Sequence, residues 1–229
     1  MKKNIIEVKG LTKTFTDGPT KTKVLKGIDF SVHEGEFVAI MGRSGAGKST
    51  FLYQMSLLDT PTDGSIILDS VDISKLDNDE KTHFRLLELG YVFQDYSLIP
   101  ELTAAENIMV PMLMQGISKE TAYKRAEEIL KSVDLDSVSN HLPAKLSGGE
   151  QQRVSIARSI THKPKILFAD EPTASLDTYS SDIVMKIFKK LNKEQGLTIV
   201  MVTHEEEYGK VADRVVRLSD GLIISDEKN

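Results

Sequence analysis

A chain of 229 residues, 40% hydrophobic and 28% charged, has the composition of an ordinary folded protein and enough apolar mass for a sizeable core. A formal net charge of -5 lacks the basic surplus of nucleic-acid binders, so no nucleic-acid partner is expected. Cysteine is absent, which excludes disulfides, thiol chemistry and cysteine-bound zinc.

The opening "MKKNIIEVKGLTKTF" has lysines but no apolar stretch behind them, so it does not read as a signal peptide. The longest apolar runs, such as "FVAIM" and "TIVMV", are strand-sized, against the ~20 residues of a membrane-spanning helix. A soluble chain that stays in the cytoplasm is expected, with any membrane role supplied by a partner. Runs rich in β-branched residues then follow in order: "NIIEVKG", "VLKGIDFSV", "EFVAIM", "GSIILD", "LGYVF", "KILFAD", "LTIVMVT", "DRVVRL" and "GLIIS". "FVAIM", "ILFA" and "IVMV" lack polar alternation, which marks strands covered on both faces of a parallel α/β sheet.

Between Tyr96 and Ile160 the pattern turns helical: "LTAAENIMVPML", "SKETAYKRAEEILKSV" with Ser118 as N-cap, and "EQQRVSIARSI". The expected organisation is one domain, 1–229. A helical subdomain at 95–160 is inserted into an α/β core made of residues 1–94 and 161–229.

The strongest chemical signal is "GRSGAGKS", Gly42 to Ser49, lying between the apolar "EFVAIM" and the helical "KSTFLYQMSLL". Gly42, Gly45 and Gly47 let backbone N–H groups turn inward around a phosphate, and Arg43, Ser44 and Ala46 complete the turn. Lys48 is placed to reach the outer phosphates, the Ser49 hydroxyl to ligate Mg²⁺, and Thr50 to follow at the helix start.

Downstream, "KILFADEP" delivers Asp170 and Glu171 at the end of a buried strand. Asp170 suits a Mg²⁺ ion and Glu171 the polarising of an attacking water. Gln94 and His204 also end apolar strands, and in a parallel sheet all four side chains converge on one crevice.

"LSGGEQQRV", residues 146–154, supplies a different kind of anion site. Ser147 caps a helix beginning near Glu150, leaving the N–H groups of Gly148 and Gly149 at its positive end, with no lysine to complete it. Two chains meeting head to tail make it whole, each covering the nucleotide on the other's phosphate loop. An ordinary glycine-containing helix entry is the alternative.

Taken together, Gly42 to Ser49, Gln94, "LSGGEQQRV", "ILFADEP", "SLD" at 175–177 and His204 resemble the nucleotide-binding subunit of an ATP-binding cassette transporter, over essentially the whole chain. The resemblance implies a RecA-like phosphate-loop core with an N-terminal antiparallel β subdomain and an inserted α-helical one. It implies ATP and Mg²⁺ as cofactors, with Ser49, Gln94 and Asp170 at the metal, Glu171 as general base and His204 at the γ-phosphate. Gln94 would link magnesium to the helical subdomain. From the partner chain would come Ser147, Gly148, Gly149, Glu150 and Asp177. Phe15 matches the position of the family's adenine-stacking aromatic, where most members carry tyrosine.

"LLDTPTDGSI", "FQDYSLIPELTAAENIMVPML" and "DEPTASLD" look like the branch serving lipoprotein release, macrolide and antimicrobial-peptide efflux, and cell division. That implies ATP hydrolysis driving a separate integral membrane subunit at the inner face of the cell membrane. Tyr96, Leu98 and Leu102 are the expected coupling surface. The alternatives are an ATPase that regulates a membrane partner without transport, as in cell division, or a soluble cassette ATPase of translation or DNA repair.

Overall fold

In a computed structural model that describes residues 3–229, the apolar runs assemble into two sheets. The first is antiparallel. Strands β1 (Asn4–Asp17) and β2 (Thr20–His33) form a long hairpin, extended on the β1 side by β4 (Asp63–Leu68) and the two-residue β5 (Val71–Asp72). This is the expected N-terminal β subdomain. Strand β1 runs well beyond "NIIEVKG" because Gly10, at φ +57°, forms a bulge that shifts register and lets the strand go on.

The second sheet contains β3 (Phe37–Met41), β6 (Leu89–Val92), β7 (Ile166–Asp170), β8 (Thr198–Val202), β9 (Arg214–Ser219) and β10 (Leu222–Lys228). Its order is β10-β9-β3-β8-β7-β6, parallel except for β10 on β9. Strands β3, β7 and β8 are buried along their whole length. Val38, Ile40, Phe168 and Val200 face a core shared with the antiparallel sheet. Phe37, Ala39, Leu167 and Ile199 face a second core under α6 (Thr178–Gln195). Burial on both faces is why these strands show no polar alternation.

Helix α1 (Lys48–Met55) follows β3 directly. Helix α2 (Asn78–Glu88) has no fully buried residue and packs Phe84 partway into the first core; Asp77 and Glu80 hold its start in a capping box. A third core is built wholly from the helical stretch: α3 (Ala104–Met114), α4 (Lys119–Ser132) and α5 (Gly148–Ile160) pack Ile108, Met112, Ala126, Leu130 and Val154 together. Ser118 caps α4 as its sequence indicates. Helix α7 (Glu206–Gly209) is a single turn after β8.

Two cores meet where β6 presses on α5. A Cβ on Gly90 would lie 2.3 Å from the Ser159 carbonyl oxygen and 2.9 Å from Leu167 Cδ1. Neither neighbour can yield cheaply, since one is helix backbone and the other a buried side chain. Gly90→Ala is therefore expected to destabilise the fold by about 1–3 kcal/mol, the usual cost of overpacking. Thermal unfolding checks it, and an unchanged midpoint would refute the tight approach.

Candidate nucleotide-binding site

Strand order decides which loops share the site. β3, β8, β7 and β6 are consecutive neighbours, so the phosphate loop, His204, Asp170 with Glu171, and Gln94 stand side by side along one edge.

At two of its glycines the phosphate loop leaves little or no room for a side chain. A Cβ on Gly42 would meet the Leu218 carbonyl oxygen at 2.2 Å. Gly47, at φ +98°, is the N-cap of α1 and packs against Val24 and Leu25. Arg43, Ser44 and Gly45 are exposed around the mouth, Ala46 is buried beneath, and Thr50 is half-buried on α1. Lys48 is 6% exposed, and its ammonium donates to the carbonyls of Gly42 at 3.0 Å and Arg43 at 3.3 Å. The first turn of α1 contains no acidic side chain, so its positive end is left to an anion.

Asp170 is buried and accepts a hydrogen bond from Ser49 Oγ at 3.0 Å. Burial pushes its carboxyl above the usual range, partly countered by hydrogen bonds from Ser49 and Tyr53. Two hard oxygen donors side by side, one a carboxylate short of compensation, fit a Mg²⁺ ion.

Glu171 lies 3.6 Å from Lys48 Nζ through one carboxylate oxygen and 2.7 Å from His204 Nδ1 through the other. Its backbone, at φ +44°, sits in the left-handed region, with its N–H tied to the Val202 carbonyl at 3.0 Å. A non-glycine residue held there costs about 1–3 kcal/mol and persists where surrounding structure insists on its orientation.

Gln94 occupies an exposed turn past β6, one strand over from Asp170. Phe15, near the end of β1, is 46% exposed.

The signature segment stands apart, at the start of α5, which packs on α3, α4, α6 and β6. Ser147 caps α5 and Glu150 answers in a capping box; the helix begins at Gly148 rather than Glu150. Both glycines are closely approached within this chain. A Cβ on Gly148 would lie 2.9 Å from the Tyr96 hydroxyl, and one on Gly149 would lie 2.6 Å from Ser180 Oγ. Ser180 in turn donates to Asp177, the N-cap of α6. So Ser180 stands between "LSGGE" and the Asp177 of "SLD", a proximity that no spacing rule suggests.

Of the expected coupling surface, Tyr96, Leu98 and Leu102 are each half-buried. Leu98 packs against the helical core, and Tyr96 turns its hydroxyl toward Gly148. Outward apolar surface comes instead from Ile99, Leu113 and Met114. An open groove beside it is lined by Leu86, Leu89, Tyr91, Phe93, Met114 and His162.

Two residues that no motif marks hold the loop after Gln94. Arg158 of α5 donates to the carbonyls of Ser97 at 2.6 Å and Tyr96 at 3.0 Å, fixing two residues that both have positive φ. Asn107, fully buried on α3, donates to the carbonyls of Ile99, Leu102 and Thr103. Arg158 had one available signal: it continues the buried face of α5 four residues after Val154, where a charge needs a partner.

A profile of the ABC transporter family matches residues 25–174. The chain belongs to that family. It is an ATP-binding cassette, with the ATPase chemistry of that class.

The cassette is 44% identical over 223 residues to the lipoprotein-releasing system ATP-binding protein LolD of Geobacter metallireducens, covering 97% of this chain and 99% of LolD. It is likewise 44% identical over 226 residues to the macrolide export ATP-binding/permease protein MacB of Bdellovibrio bacteriovorus. There it covers 98% of itself but spans only 34% of MacB. A dimeric structure of the ATP-binding cassette MJ0796 of Methanocaldococcus jannaschii, in a post-hydrolysis state bound to ADP and Pi, superposes with a TM-score of 0.92 at 42% identity. The match covers 97% of this cassette and 98% of that one. Among the described residues no helix of the cassette is long and apolar enough to cross a membrane.

Proposed function

We propose that the chain is the ATP-hydrolysing subunit of a transporter of the lipoprotein-release or macrolide-efflux type, working as a head-to-tail pair against a separate membrane subunit. The observation that carries this reading is the split between two anion sites. Lys48, Asp170, Glu171 and His204 gather at one sheet edge, while the capped N-terminus of α5, with Gly148 and Gly149, belongs to the helical layer.

In this reading the phosphate loop and Lys48 bind the triphosphate of ATP. Ser49 and Asp170, with Gln94 alongside, hold Mg²⁺, which supplies charge neutralisation to the phosphate oxygens. Glu171 takes a proton from the attacking water at a carboxylate oxygen. His204, hydrogen-bonded to that carboxylate, orients it and faces the γ-phosphate. Ser147, Gly148, Gly149, Glu150 and Asp177 close over the nucleotide of the other copy. The groove beside Met114 receives the membrane subunit, which places the cassette at the inner face of the cell membrane.

Light scattering of Glu171→Gln tests the pair. Each chain is 25.4 kDa, and the mass is expected to double only with Mg-ATP. If ATP binds while the mass stays that of one chain, the head-to-tail arrangement is withdrawn.

A further inference from the structure

Lys13 lies two residues before Phe15 on β1, so both side chains leave the same face of the strand. Its ammonium sits 4.9 Å from the centroid of the Phe15 ring. The same ammonium bonds to the Asp59 carboxylate at 2.7 Å and donates to the Thr60 carbonyl at 2.7 Å. Only 12% of the Lys13 side chain is exposed, so it is not a surface lysine drifting past an aromatic.

Asp59 is held in turn. It accepts from Gln54 Nε2 at 2.8 Å and from the Thr60 N–H at 2.7 Å. Burial raises its carboxyl, but the bonds from Lys13, Thr60 and Gln54 outweigh this and leave it below the usual range. Gln54 is fully buried and belongs to α1, the helix whose first residues are Lys48 and Ser49. Two further ties run beside this chain of bonds: Thr62 N donates to Thr12 O at 2.9 Å, and Thr14 N to Thr62 Oγ1 at 2.9 Å. The phosphate-loop helix and the strand bearing Phe15 are therefore joined by a continuous polar link.

We infer that Lys13 is a positioning residue for base recognition. It pins the Phe15 ring from one face, at a set distance from the phosphate loop, and leaves the other face for the purine of the bound nucleotide. The inference rests on the proposed role of Phe15 as the stacking platform. The physics favours a cation at this position. An exposed aromatic side chain that must stop moving when a base stacks loses rotamer freedom, and a ring fixed beforehand avoids that loss. The cation also draws electron density from the ring, which suits stacking beneath an electron-rich purine. Phenylalanine has no hydroxyl with which to anchor itself, so the anchor comes from its neighbour.

Calorimetric affinities for ATP and for inorganic tripolyphosphate test this, because tripolyphosphate uses the phosphate loop but has no base. Lys13→Met is expected to weaken ATP about three- to tenfold and to leave tripolyphosphate binding as it was. Phe15→Leu is expected to weaken ATP about tenfold, and adding Lys13→Met to it should cost nothing more. Lys13→Arg should restore the ratio of the two affinities.

If Phe15→Leu weakens ATP and Lys13→Met does not, the inference falls and the platform stands. If Phe15→Leu has no effect, the platform falls and the inference with it. An equal loss of ATP and tripolyphosphate in Lys13→Met also overturns it, since Lys13 would then serve the loop as a whole.

Discussion

Glu171→Gln is expected to lower ATP turnover by about 10²–10⁴-fold, the range for losing a general base, while ATP binding is kept or tightened. An amide has the size and shape of the carboxylate and still reaches His204, but it cannot hold the proton that water gives up. It also removes a negative charge 3.6 Å from Lys48, leaving that ammonium freer to serve phosphate oxygens. Phosphate release and ATP affinity, measured on the same preparation, separate the two effects. Turnover close to that of the unaltered chain would remove Glu171 from the chemistry.

Lys48→Ala should fail at the earlier step. A hydrogen bond to a charged group is worth about 1.5–3 kcal/mol, which corresponds to roughly a ten- to hundredfold loss of ATP affinity. The substitution also strips the Gly42 and Arg43 carbonyls of their shared donor, so some loosening of the loop accompanies it. Circular dichroism alongside the titration shows whether the fold persists. An unchanged affinity would contradict the placement of the outer phosphates beside Lys48.

The two substitutions are expected to separate binding from chemistry, because Lys48 opens the helix after β3 while Glu171 follows β7. That arrangement was largely legible in the sequence. β3, β7 and β8 announce themselves because both faces are buried, and each gives way to a glycine or a polar residue, at Gly42, Asp170 and Thr203 with His204. The cap at Ser147 was legible too, since capping is local chemistry.

What stayed hidden depends on contacts across long sequence separations, or on elements without a pattern. Helix α2 buries no residue fully, and Phe84, Leu86 and Leu87 are its only apolar residues, too few to set it apart in a charged stretch. Leu98 and Ile99 look alike in the sequence, and only the packing of α3 against the loop decides which one turns inward. Lys13 and Asp59 are 46 positions apart, and no spacing rule brings them together.

The hydroxyl of Ser147 has a single proton, and that proton is already in use: it goes to the Glu150 carboxylate at 2.8 Å, while the oxygen accepts the Glu150 N–H at 3.3 Å. Closing over a second chain's nucleotide would turn the proton toward phosphate, and the carboxylate would keep the Ser147 N–H at 2.7 Å. One charge-assisted bond replaces another, so the net gain from this residue is small. In the proposed pair a serine in that position would work as a clasp, rewarding correct alignment without adding much grip. Once the phosphate left, Glu150 would stand at hydrogen-bond distance to reclaim the proton, and the clasp would open on its own.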